Sequence, residues 1–291
     1  MNPSLSRWLL IAVWPVTASL IVLALGDAGK KVWLIHLLAI CLSIVVAIGG
    51  YKLVRLAGLK IPAFAIILLT VIGATVPLLG VSPGPSRWVS FGPLSLYLAP
   101  LLLPSFLGAC GVSVQNGGNR ELLSLGAVIG VGILLAAQPD ASQVLGLLVG
   151  FTVTVARYRS NGVRSVLTLV ALTFATLWAF SRPDNLAPVP YVEGVFALAF
   201  SHSLLAGIAV GTSAVALVSG LLLGSLKGAP WLSGVAAYYG ILFVCSTSGL
   251  TPAPLIGFGT GPLLGFGLMV AVSRGLDSHL QSDKHLDVMA H

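Results

Sequence analysis

The sequence predicts an all-α polytopic membrane protein with about ten transmembrane helices, on three observations. Of its 291 residues 57% are hydrophobic and only 8% charged, where a soluble domain of this size carries about 25% charged residues. Mean hydropathy is +1.02. Apolar runs near 20 residues recur along the whole chain, long enough for a helix to cross a ~30 Å hydrocarbon layer.

In chain order the expected spans are 8–26, 32–50, 61–80, 95–113, 121–137, 142–156, 164–180, 194–225, 230–247 and 260–274. The first has an "ALGDA" that loosely resembles a cleavage site. Its apolar run is long for a signal peptide and further spans follow, so it is read as a retained helix. The eighth is too long for one span and is expected to begin outside the bilayer or to be broken. Residues 1–275 form the transmembrane domain; the polar 276–291 form a tail whose histidines reflect composition.

A cytoplasmic N-terminus puts Arg7, Lys52, Arg55, Lys60, Arg120, Arg157, Arg159, Arg164, Lys227, Arg274 and Lys284 inside, and only Lys30, Lys31, Arg87 and Arg182 outside. Basic residues favour the cytoplasmic side, so both termini are expected there. The net charge of +7 is a topology signal on this reading, and no nucleic-acid partner is expected. Cys41, Cys110 and Cys245 lie in apolar segments without metal or disulfide spacing. Gly126/Gly130, Gly207/Gly211, Gly220/Gly224 and Gly261/Gly265 are spaced for close helix packing in lipid. There is no internal repeat, Walker loop or dinucleotide fingerprint.

The unusual chemistry falls in the outer loops. These are "GVSPGPSRWVSFGPLSLYLAP" with Arg87 and Trp88, "LLAAQPDASQ" with Asp140, "SRPDNLAPVPYVEG" with Arg182, Asp184 and Glu193, and the Gly- and Pro-rich "SGLTPAPLIGFGTG". Each residue also has a simple structural role available. Trp88 would anchor at the interface, Arg87 would snorkel, Asp140 would cap the sixth span and Glu193 would lie among headgroups. Together, two arginines and two or three acids on one face suit a lipid-linked diphosphate, because guanidinium forks pair with phosphate oxygens. A carboxylate against apolar walls can act as a general base.

Four stretches, in order, resemble the FtsW/RodA/SpoVE (SEDS) family of cell shape, elongation, division and sporulation proteins. "SRWVSFGPLSL" (86–96) is similar to its Arg-Trp segment and "QPDASQ" (138–143) to its Gln-Pro-Asp loop. "YVEGVFALAF" (191–200) is similar to its catalytic aspartate segment, and residues 248–275 to its terminal Pro/Gly stretch. The resemblance spans most of residues 8–275. It implies a ten-helix bacterial inner-membrane bundle that polymerises lipid II, paired with a class B penicillin-binding protein. It also implies Glu193 as catalytic base, with Arg87, Trp88, Asp140, Arg182 and His202 as substrate-binding candidates.

Several positions depart from the pattern. Glu193 replaces an aspartate, "YLAP" (97–100) replaces Gln-Pro-Ser-Glu and its acid, and "GFGTG" (257–261) replaces Ser-Tyr-Gly-Gly-Ser. Ser201 and His202 stand where the family has glutamates, and the outer loop before Glu193 is short. His202 is expected inside the eighth span, as a buried hydrogen-bonded residue. No cofactor is implied. A divalent cation would bridge a diphosphate to Asp140 or Glu193, although no ligand spacing marks one. Three readings stay open: a lipid II glycosyltransferase, a non-catalytic relative that binds a cell-wall partner, and a flippase or permease. The last would want polar residues at mid-membrane depth, where His36 and His202 are the main ones.

Overall fold

The computed structural model describes residues 3–57, 61–80, 87–91, 94–158, 160, 162–182 and 189–289, with side chains from Leu5 and apart from those of Phe91, Leu94 and 278–289. It is an all-α bundle with one small hairpin: α1 Pro3–Leu25, α2 Lys30–Leu56, α3 Ala63–Thr75 running into a 3-10 turn Val76–Leu79, β1 Trp88–Phe91, β2 Leu94–Tyr97, α4 Leu98–Asn116, α5 Gly118–Ala137, α6 Ala141–Tyr158, α7 Val163–Phe180, α8 Val195–His202, α9 Leu204–Leu226, α10 Leu232–Thr247 and α11 Thr260–Met289. Seven of these helices are long and apolar enough to cross a membrane, and α10 and the α3 segment are shorter apolar helices. The fold class is the one the sequence predicts, a multi-pass membrane protein.

Chain alternation sorts the connections onto two ends. The described residues that follow α1, α3, α5, α7 and α10 gather at one, here called the hairpin end; those that follow α2, α4, α6 and α9 gather at the other.

α4 is the central helix. Nearly its whole surface is buried, including Leu103, Phe106, Leu107 and Cys110, as expected for a helix apolar all round. α6 and α10 approach closely because glycines face each other: Gly150 packs on the Gly234 carbonyl and on Tyr238. That contact replaces the expected one at Gly126 and Gly130, where an added Cβ would meet nothing within 4 Å. Gly261 and Gly265 do mark a close approach, where α11 crosses the Tyr97 and Pro100 carbonyls. α11 continues past Gly275 into the polar segment, with Leu276 buried and Asp277 Oδ1 accepting from Trp231 Nε1 at 2.9 Å.

Two features differ from the sequence expectation. The fourth span starts at Leu98 rather than 95, because 94–97 pair with 88–91 in an antiparallel hairpin, Trp88 opposite Tyr97. The long eighth span is broken. Ser203 is extended (φ −166°, ψ 154°), and its Oγ accepts from the Ala206 N–H, capping α9 as serine does at helix starts. That break corrects the placing of His202. It sits at the exposed end of α8 and is not buried in the bundle.

Candidate active site

Asp140 anchors the hairpin end. It is 0% exposed, and the Tyr97 hydroxyl donates to its carboxylate, lying 2.7 Å from Oδ1 and 2.6 Å from Oδ2. A buried carboxylate needs such partners, since an unpaired one is expensive. Ser142 Oγ adds a longer contact at 3.4 Å. Burial, then the adjacent Asp140 charge, push the Tyr97 phenol well above its usual value, while Arg87 opposes the shift. Tyr97 is therefore a protonated donor. The hairpin register sets Trp88 across from Tyr97, and their rings stack at 5.0 Å and 23°. The half-buried Arg87 and Trp88 are thus tied through Tyr97 to the Gln-Pro-Asp loop. Trp88 is packed into the structure and is no mere interfacial anchor.

The rest of that loop is braced as well. Gln138 Nε2 donates to the Ala74 carbonyl at 2.6 Å. Gln143 Oε1 accepts from the Tyr238 hydroxyl at 2.7 Å and its Nε2 reaches Thr251 Oγ1 at 3.5 Å. The space among Tyr97, Gln143, Tyr238 and Thr251 is filled. Arg182 donates through Nη1 to the carbonyls of Ala137 (2.7 Å) and Ala136 (3.3 Å), and lies over the Trp178 ring at 5.8 Å. These are the last carbonyls of α5, which lack helical partners and favour a cation. Arg182 clamps the end of α5 just before the Asp140 loop.

Glu193 stands on a tight turn at 189–194. The Val189 carbonyl accepts from the amides of Val192, Glu193 and Gly194, and Glu193 Oε2 accepts from the Val189 N–H at 2.9 Å. This half-buried turn docks by backbone on the Pro/Gly segment: Ala253 N–H donates to Val192 O and Phe258 N–H to Tyr191 O. Residues 251–257 are buried without being helical, tolerable at membrane depth only where protein satisfies the backbone. A Cβ on Gly257 would run into the Val192 carbonyl. Gly257→Ala is therefore expected to destabilise by about 1–3 kcal/mol, read as earlier thermal unfolding in detergent. The same segment reaches the hairpin, since Thr260 Oγ1 donates to the Ser95 carbonyl at 3.2 Å. It thus holds the Glu193 turn, the hairpin and Gln143 together.

The structure brings Arg87, Trp88, Asp140 and Arg182 into one braced assembly and joins Glu193 to it through residues 251–260. His202 lies on α8 beyond that turn, and Asp184 falls outside the described residues. Tyr97 is the residue that sequence reading missed. The alternation in "WVSF" and "LSLY" around Gly-Pro is a hairpin signal that would have paired it with Trp88. His36 is fully buried, bonded through Nε2 to Ser19 Oγ at 2.8 Å, with its ring 5.9 Å from Phe258. Among the described residues no group of three or more His, Cys, Asp or Glu is arranged to hold a metal. Asp140 is closed over by Tyr97.

No protein-family model matches the chain, and no curated protein matches it by sequence. Solved structures do match. Rod shape determining protein RodA of Thermus thermophilus superposes with a TM-score of 0.66 at 20% identity, covering 92% of this chain and 95% of RodA. The chain has the fold of RodA. An aspartate-to-alanine mutant of that RodA gives the same TM-score and identity, with 92% and 96% coverage. A chain from a peptidoglycan synthase complex that coordinates polymerization and crosslinking gives 0.69 at 18% identity, covering 92% and 97%. The RodA-like fold therefore extends over nearly the whole chain.

Proposed function

We propose that this protein is a SEDS-like membrane protein of bacterial cell-wall synthesis, and that it polymerises lipid II in the inner membrane with Glu193 as the general base. The observation that carries this reading is the docking of the Glu193 turn on residues 253–258. It fixes a carboxylate at the same end of a RodA-like bundle as Arg87, Trp88 and Asp140.

In the reaction Glu193 takes the proton from the acceptor sugar hydroxyl. The hydroxyl oxygen bonds to the donor's anomeric carbon with inversion, and the carbon–oxygen bond to the lipid diphosphate breaks. The diphosphate leaves with the electron pair. Arg87, just before the hairpin, pairs with the diphosphate. Asp140 and Arg182 act in support: Asp140 positions Tyr97 and the hairpin, and Arg182 holds α5. That support revises their expected role as direct substrate ligands. No step is routed through a metal.

The likeness to a chain of a peptidoglycan synthase complex supports a class B penicillin-binding protein as partner. A second reading, a non-catalytic partner protein, is favoured by the structural contacts that Asp140 and Arg182 make. Glycan polymerisation from purified lipid II, by the protein alone and with a class B penicillin-binding protein, separates the two. Strands are expected. Folded protein that makes none in either condition would support the non-catalytic reading.

A further inference from the structure

At the end of the bundle opposite the hairpin, a cavity of about 200 Å³ lies among the start of α3, the end of α4 and the first turns of α5. One wall is polar and comprises Ser113, Asn116 and Arg120. Ser113 is only 3% exposed and lines this wall. A hydroxyl at a cavity wall favours a ligand that can hydrogen-bond to it. Arg120, in the first turn of α5, adds a cation where the helix dipole also favours an anion. The neighbouring acid, Glu121, is turned away and accepts from Ser160 Oγ at 2.7 Å.

The other wall is apolar. Phe64 and Leu123 line it and are 56% and 52% exposed, so in a membrane protein they face acyl chains. A ligand here must be anionic at the polar wall and apolar at the mouth. The volume equals that of about seven liquid waters, enough for a phosphate and the carbons that join it to a lipid. The basic residues placed at this end by the charge count would concentrate anionic lipid there.

We infer that this cavity is a binding site for the phosphate headgroup of an anionic phospholipid of the cytoplasmic leaflet, held by Arg120, Asn116 and Ser113, with its chains along Phe64 and Leu123. The site is remote from Glu193 and stands independently of the glycosyltransferase reading.

The test is native mass spectrometry of the full-length protein in detergent, titrated with phosphatidylglycerol, phosphatidylcholine or inorganic phosphate. Wild type should retain phosphatidylglycerol at least fivefold more than phosphatidylcholine. Arg120→Gln removes the charge, and Ala63→Phe fills the cavity while keeping it; each should erase that preference. Arg164→Gln, an exposed cation at the same end outside the cavity, should leave it intact. The proposal is overturned if neither Arg120→Gln nor Ala63→Phe lowers the preference, or if Arg164→Gln lowers it as much. It is also overturned if inorganic phosphate binds as well as the lipid does.

Discussion

Tyr97→Phe is expected to destabilise the protein by about 3 kcal/mol, the scale on which a buried charge loses its partner. The substitution removes the one hydroxyl that lies within 2.7 Å of both Asp140 oxygens. The ring stack with Trp88 survives, so the loss is electrostatic rather than one of packing. Replacing both partners, as Tyr97→Phe with Asp140→Leu, removes the buried charge that has lost its strongest donor and should recover much of the stability. Thermal unfolding of the two single variants and the double variant in detergent makes that comparison. Equal destabilisation by Tyr97→Phe and the double variant would show that Asp140 is not held by Tyr97. The same pair predicts a pH dependence. The folded state raises the Tyr97 phenol above its ordinary value of about 10. Its contribution is therefore complete below that pH and is lost as pH rises through the folded value.

Glu193→Asp is expected to lower polymerisation about a hundredfold, although it restores the residue type of the resembled family. The Glu193 turn is fixed by three amides on the Val189 carbonyl and by two backbone bonds to residues 253–258. The backbone cannot move forward to compensate for a shorter side chain. Shortening by one methylene withdraws the base by over 1 Å, and misplacement on that scale costs about 10²-fold. The variant also loses the Glu193 Oε2 contact to Val189 N–H. Initial rates of strand formation from lipid II measure the effect. An aspartate variant as fast as wild type would mean that the turn does not set the position of the base.

Much of this was legible in the sequence because hydropathy in a membrane protein is nearly the fold. Among the described residues seven helices long and apolar enough to cross a membrane and two shorter apolar helices fall within the expected runs, and the motif-bearing loops collect at one end. What was hidden depends on contacts remote in sequence. Arg182 reads as a loop cation until the chain brings it to the carbonyls of Ala136 and Ala137. Tyr97 reads as the start of a span until hairpin register sets it beside Trp88, and it finds Asp140 43 residues away. The His202 error has a local cause. "FALAFSHSLLAG" is apolar throughout, so the run reads as one helix, and only the capping geometry of Ser203 reveals the break.

The central claim is that Glu193 removes the acceptor proton. Its most direct test compares wild type and Glu193→Gln on purified lipid II, at equal amounts of protein shown by thermal melting to be folded. Glutamine keeps the shape and can still accept from Val189 N–H, but it cannot take a proton at neutral pH. Loss of a general base costs about 10²–10⁴-fold, so the account predicts glycan strands from wild type and none from Glu193→Gln over the same time. Strands of equal yield from both proteins would contradict it.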